Sequence, residues 1–237
     1  TSVKDRDIIE IGPGKGSLTS EIIKKNPKSL TIIEKDNFLF KELEIKYSKN
    51  KNVKIINADI LKFNIEELYK KNSVIFGNLP YNISSQILAK IIKSRIWPPK
   101  FNDLILMFQK ELAEKILSRY PSNNYGRISI LTNFRLKFMK KFSVSPNCFF
   151  PKPKVTSLVV HFRPIIKSDF KIRNLDNLEK ITNIFFSNKR KMINKNIKKV
   201  LNSSELKKLG KLNLHLRPSD LSPDMYYKIT EILEKRS

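Results

Sequence analysis

Asn78-Leu79-Pro80-Tyr81, preceded by Gly77, follows directly on the apolar run Ser73-Val74-Ile75-Phe76. Such a turn can hold an amine. The side-chain oxygen of Asn78 and the backbone carbonyl of Leu79 supply two hydrogen-bond acceptors close together. Pro80 stiffens the turn and offers no competing N–H, and Tyr81 offers a ring on which an unstacked base can lie. The exocyclic amine of adenine is a poor nucleophile because its lone pair is delocalised into the ring. Two acceptors held on that amine favour a more tetrahedral nitrogen and aim its lone pair at an electrophile. A donor that is already activated, such as a sulfonium methyl, needs no strong general base. The sequence offers no nucleophile triad and no metal-ligand cluster, so the chemistry that suits this turn rests on positioning and electrostatics.

A second group of residues has the spacing of a nucleotide site. Glu10-Ile11-Gly12-Pro13-Gly14-Lys15-Gly16 follows an apolar run and opens a helical pattern. Glycines there let the backbone approach a ligand closely, and the helix start offers unpaired N–H groups. Glu34 ends the next apolar run about 20 residues on, where a carboxylate can accept both ribose hydroxyls. Asp59, in Ala58-Asp59-Ile60, closes a third run and can take the exocyclic amine of a cofactor adenine. These features alone fit an NAD site as well as an S-adenosylmethionine site; the Asn78 turn favours the latter.

The elements that must position these residues are legible as an alternation. Strands are expected at Ile8–Ile11, Leu30–Glu34, Val53–Ile56, Ser73–Phe76 and Leu104–Phe108, with helices at Leu18–Ile23 and Phe38–Tyr47. Strands alternating with helices imply an α/β fold with a parallel sheet covered on both faces, and ligands outside the carboxyl ends of its strands. After Pro164 the pattern turns helical, with helices expected at Leu178–Ile197, Leu206–Leu209 and Met225–Leu233. The expected division is an α/β domain over residues 1–164 and a small helical domain over 165–237.

Composition narrows the partner. The chain has 237 residues, with 47 Lys and Arg against 22 Asp and Glu, a formal net charge of +25. A protein this basic binds polyanions in a salt-dependent way. No apolar run approaches the roughly 18 residues of a membrane span. The single cysteine, Cys148, cannot form an internal disulfide, which fits a cytoplasmic protein.

These motifs resemble the ribosomal RNA small-subunit adenine N6,N6-dimethyltransferase family, of the KsgA type. The resemblance runs through Glu10–Gly16, Ile33-Glu34-Lys35-Asp36, Ala58–Leu61 and Gly77–Ser84. It continues through Gln109-Lys110-Glu111, Tyr125-Gly126-Arg127 and Phe149–Val155 with Ser157. It implies a Rossmann-like S-adenosylmethionine-dependent methyltransferase sheet with a small C-terminal helical domain. It also implies as substrate two adjacent adenosines in a hairpin near the 3′ end of small-subunit RNA, free or within an assembling subunit. Carried over by motif, Gly12, Gly14, Gly16, Glu34, Asp59 and Asn78 contact S-adenosylmethionine. Asn78, Leu79, Pro80 and Tyr81 hold the target base, and Phe149 stacks on its other face. The family's N-terminal Gln-Asn-Phe-Leu-like motif, which closes over the cofactor, does not occur here; since Thr1 is not a start residue, the N-terminus is expected to be truncated or processed.

Relatives that methylate large-subunit RNA share the first domain. Phe185–Asn194 and Leu216–Ser222 resemble C-terminal segments of the small-subunit family and favour it. Lys189, Arg190 and Lys191 are candidate phosphate contacts, or else a solvated helix face. A binding-only role and a DNA adenine methyltransferase are the rival classes. His161 and His215 are not at ligand spacing, so no metal is expected. Cys148 is read as packing, and Phe134, Phe138 and Phe142, four residues apart, as core. The chain is expected to act as a monomer.

Overall fold

The computed structural model describes residues 2–149 and 152–236. The chain divides into two compact units, Thr1–Ala113 with Leu136–Ile165, and Glu114–Arg135 with Ile166–Ser237. The division expected at residue 165 leaves Glu114–Arg135 in the first domain, whereas here the segment belongs to the second unit. Its helix supplies Phe134 and the Ile130 carbonyl to Tyr227 of the second unit, with ring centroids 4.9 Å apart and a hydrogen bond of 3.0 Å.

The first unit is built on a seven-stranded sheet of order β3-β2-β1-β4-β5-β7-β6. The strands are β1 (Asp7–Ile11), β2 (Ser29–Glu34), β3 (Val53–Asn57), β4 (Ser73–Asn78), β5 (Phe101–Gln109), β6 (Leu136–Val144) and β7 (Ser157–Pro164). The first five run parallel, while β7 pairs antiparallel with both β5 and β6. The sheet is therefore mixed, not wholly parallel. Ile8, Leu30, Ile32 and Val74 meet Ile22 of α1 (Ser17–Ile23) in a buried cluster, each such side chain contributing about 1.5–3 kcal/mol. Helix α2 (Asn37–Tyr47) starts where Asp36 accepts hydrogen bonds from the Phe38 and Leu39 amides, both at 2.9 Å. That cap satisfies donors the helix itself leaves open. Helices α3 (Ser84–Ile92) and α4 (Lys110–Leu117) follow β4 and β5.

Strand β6 was not foreseen. Phe134, Phe138 and Phe142 recur at helical spacing, yet α5 (Arg127–Arg135) stops at Arg135 and the chain extends through a bulge between Phe138 and Lys140. Phe134 is buried as expected, whereas Phe142 is 57% exposed and is not core.

The second unit packs α5 with α6 (Leu175–Phe186), α7 (Asn194–Lys198), α8 (Ser203–Lys207) and α9 (Pro223–Glu234). The single helix expected over Leu178–Ile197 is broken between Phe186 and Asn194. Ser187 and Asn188 favour turns over helix interiors, and three adjacent cations follow them. Asn196 secures the break by donating to the Phe185 carbonyl at 3.2 Å. Ile193 N donates to Leu216 O at 2.9 Å, joining the two C-terminal motifs. Tyr226 is fully buried and donates to Pro218 O at 2.7 Å.

Candidate active site

The glycine turn leaves β1 and enters α1. Gly12 has φ +67° and donates its N–H to Ile33 O at 3.0 Å, binding the turn to β2. Gly16 has φ +76°, and a Cβ there would stand 2.9 Å from both Leu43 Cδ2 and Tyr47 Oη. Only glycine fits both the backbone angle and the packing of α2 against this turn. Gly12 faces a ligand space; Gly14 and Gly16 shape the turn behind it.

That space is a cleft of about 700 Å³ at the carboxyl ends of β1 to β4. It brings together Gly12, Glu34, Asp59, Leu79 and Pro80, with Phe38 and Ile60 as apolar walls. Glu34 is buried, and its Oε1 accepts the Asp36 amide at 2.8 Å. Among the described residues Oε2 has no partner, so the carboxylate keeps an acceptor for a ribose hydroxyl. Asp59 is less free. Its Oδ2 pairs with Lys35 Nζ at 2.9 Å and its Oδ1 accepts the Leu61 amide at 2.9 Å. The Lys35 bond, with the Leu61 amide second, holds the Asp59 carboxyl below its usual pKa. For Asp59 to take an amine, exposed Lys35 must turn aside, which costs little for a solvated ion pair.

Asn78 ends β4 and is exposed. A Cβ on Gly12 would lie 3.7 Å from the Asn78 carbonyl, so the glycine turn and the Asn78 turn are neighbours. No donor among the described residues reaches either the Asn78 side chain or the Leu79 carbonyl. Leu79, 3% exposed as a whole residue, anchors the turn in the core and borders the cleft. Asn78 lines a second cavity of about 410 Å³, walled by Phe76, Met107, Phe142 and Phe149. Phe149 thus faces the same cavity as Asn78. Cys148 lines it too and is exposed, which corrects the reading of it as packing. Tyr81 lines neither cavity; it is half-buried, with its hydroxyl 2.7 Å from Ser157 Oγ. Phe150 and Pro151 lie outside the described residues.

Behind the glycine turn sits a buried carboxyl that the motif contained without revealing its state. Glu10 is 1% exposed, and its Oε2 accepts from Thr19 Oγ1 at 2.7 Å while Oε1 has no partner. Burial pushes its pKa up to about 7, against the opposing effect of the Thr19 bond. Lys35 and Phe38 were also missed as site residues. Their positions beside Glu34 and at the start of α2 were the available signals.

In the second unit Lys189, Arg190 and Lys191 are all exposed on the turn between α6 and α7, rather than along a helix face. His161 is buried against Asp103, with Nε2 to Oδ1 at 2.6 Å.

Residues 2–235 match the family model for ribosomal RNA adenine dimethylase. The ribosomal RNA small subunit methyltransferase A of Pelagibacter ubique is 42% identical over 99% of this chain and 88% of its own length. The crystal structure of a dimethyladenosine transferase from Plasmodium falciparum superposes with a TM-score of 0.78 and 26% identity, over 96% of this chain and 90% of that one. The 23S rRNA methyltransferase ErmE, at 23% identity, shares the fold with a TM-score of 0.65, over 97% of this chain and 91% of that one. The sheet is that of a Rossmann-like methyltransferase, and the chain belongs to the ribosomal RNA adenine dimethylase family.

Proposed function

We propose that the chain transfers methyl groups from S-adenosylmethionine to the N6 amines of two adjacent adenosines, in a hairpin near the 3′ end of small-subunit ribosomal RNA. One observation carries the reading. The Asn78 side chain and the Leu79 carbonyl are two free acceptors on a turn whose backbone is fixed from the core, beside the glycine turn. Held there, an adenine amine gives both N–H groups to the protein and presents its lone pair away from them. The target base leaves its stack to enter the cavity, where Phe149 offers a ring face and Tyr81, tethered to Ser157, stands on the turn itself.

S-adenosylmethionine supplies the activated methyl when bound. Glu34 suits its ribose through the free Oε2, Asp59 its adenine amine, and Phe38 and Ile60 its adenine faces, while Gly12 admits its amino-acid end to the backbone. Lys189 and Lys191 hold RNA phosphates as point charges, and Arg190 holds one through its guanidinium fork. The protein works as a monomer in the cytoplasm, on small-subunit RNA or an assembling subunit. Its single cysteine is consistent with that compartment, and no described helix is long and apolar enough to cross a membrane.

Labelled-methyl transfer to unmethylated small-subunit RNA by Asn78→Ala tests the assignment. Losing one positioned acceptor should lower kcat by about 10²–10³, with RNA affinity unchanged. Wild-type turnover in the variant contradicts the acceptor mechanism.

A further inference from the structure

The opposite end of the sheet holds a second polar space. Arg6 enters β1, Lys28 precedes β2, Asn72 precedes β4, and Arg163 sits near the end of antiparallel β7. With Lys71 and Asp103 they border a basin of about 500 Å³. Gly12, Glu34, Asp59 and Asn78 lie at the other ends of these strands. At about 3.3 Å per residue, strands of this length put the two sites roughly 15–20 Å apart.

The basin is organised from beneath by one buried carboxylate. Asp103 is 1% exposed; its Oδ2 pairs with Arg6 Nη1 at 2.8 Å, and its Oδ1 with Arg163 Nε at 2.9 Å and His161 Nε2 at 2.6 Å. Arg6 is fully engaged, since Nε and Nη2 also donate to the Asn72 and Ser73 carbonyls. Arg163 is held through Nε alone, and its half-exposed side chain keeps both terminal nitrogens free among the described residues. A fixed guanidinium with an open fork is the donor geometry that matches a phosphate. Lys28 and Lys71 are exposed, with no hydrogen-bonded side-chain partner among the described residues. The acids nearby do not cancel this charge. Asp103 is neutralised by the pairs above; Asp7 pairs with Lys70 and Ser29 and also attracts Lys28 without a hydrogen bond, and Asp5 is the remaining acid among the described residues of the basin.

We propose that this basin is a second RNA site, in which Arg163, Lys28 and Lys71 hold backbone phosphates of a strand other than the one bearing the target adenosines. The free charged groups there are mainly cationic donors, and among the described residues no aromatic side chain on which a base could stack lines the space. The contact is therefore to phosphates and independent of sequence. The two sites open at opposite ends of the strands, so a short hairpin seated on the Asn78 turn does not bridge them, while a long folded RNA that passes round the sheet reaches both. The identity of the polyanion rests on the family assignment; the geometry of the basin does not.

The test compares wild type with Lys28→Gln/Lys71→Gln, and with that double variant plus Arg163→Gln, in binding two RNAs across a salt series. One RNA is the short hairpin with the two adenosines; the other is the complete small-subunit RNA. For the complete RNA the slope of log K against log salt should flatten by about 1.4–1.8 in the double variant. Wild type should then lose roughly 10-fold more affinity than that variant between about 50 and 200 mM salt. Hairpin binding and methyl transfer to the hairpin should not change. An unchanged slope on the complete RNA overturns the proposal, as does an equal loss on both RNAs. The double variant alters exposed side chains only, so it decides the matter even if Arg163→Gln disturbs the fold. Because binding is read without turnover, a protein that failed to methylate would refute the proposed reaction and leave this readout intact.

Discussion

Replacing Glu10 by Gln should make the protein more stable at pH 8 and leave it nearly unchanged at pH 4. Glu10 lies under the glycine turn with one oxygen on Thr19 and the other without a partner. Burial raises its pKa from 4.5 to about 7 in the folded chain. Below the unfolded value both states hold the proton, and the carboxyl is harmless. Between the two values the unfolded chain releases a proton that the folded chain keeps, so stability falls as pH rises. Above the folded value the loss is complete and constant. A gap of this size at 1.36 kcal/mol per pH unit corresponds to about 3 kcal/mol. Gln keeps the shape and the acceptor for Thr19 but cannot ionise. The variant should therefore gain up to about 3 kcal/mol over wild type at pH 8, or roughly 6–12 °C in Tm for a chain of this size. Thermal or urea unfolding of both proteins at pH 4, 5, 6, 7 and 8 measures it, because pH effects from other carboxylates cancel in the difference. A difference that does not change with pH, or a variant less stable at pH 8, refutes the reasoning.

Three further perturbations test the site. Glu34→Ala should weaken S-adenosylmethionine binding in titration calorimetry by about 10-fold or more, the loss of a charged hydrogen bond, with RNA affinity unchanged; equal loss of both means the fold was damaged instead. Gly16→Ala forces a side chain onto Tyr47 and Leu43 at a left-handed φ, and should cost at least about 1–2 kcal/mol in unfolding free energy, with cofactor affinity falling alongside; wild-type stability would deny that this turn is closely packed. Neutralising Lys189, Arg190 and Lys191 together should flatten the salt dependence of hairpin binding by about 2–3, and an unchanged slope would move the footprint elsewhere.

What could be read from the sequence was what repeats locally. Continuous apolar runs such as Ile8–Ile11 and Leu30–Glu34 mark buried strands because both faces of a parallel sheet are covered. Of the residues expected at their ends, Gly12, Glu34 and Asp59 meet in one cleft, while Asn78 lines the neighbouring cavity. What could not be read depended on partners distant along the chain. The phenylalanines at 134, 138 and 142 look helical until the pairing of β6 with β7 pulls the last two into a strand. Lys35 on Asp59, Asp103 gathering Arg6, His161 and Arg163, and Tyr81 on Ser157 are contacts that only the folded chain creates. Glu10 was visible as a motif residue, but its elevated pKa arises from burial, which a motif does not express. The stretch Ser187–Ile193 carried no glycine or proline to mark its break, so the helix was extended through it.

The most direct measurement is nucleoside analysis by mass spectrometry of unmethylated small ribosomal subunits after incubation with the protein and S-adenosylmethionine. N6,N6-dimethyladenosine is expected at two neighbouring positions near the 3′ end of the small-subunit RNA, forming about 10²–10³-fold more slowly with Asn78→Ala. Methylation at another base or another RNA, or an unaltered rate with the variant, would contradict the proposed reaction.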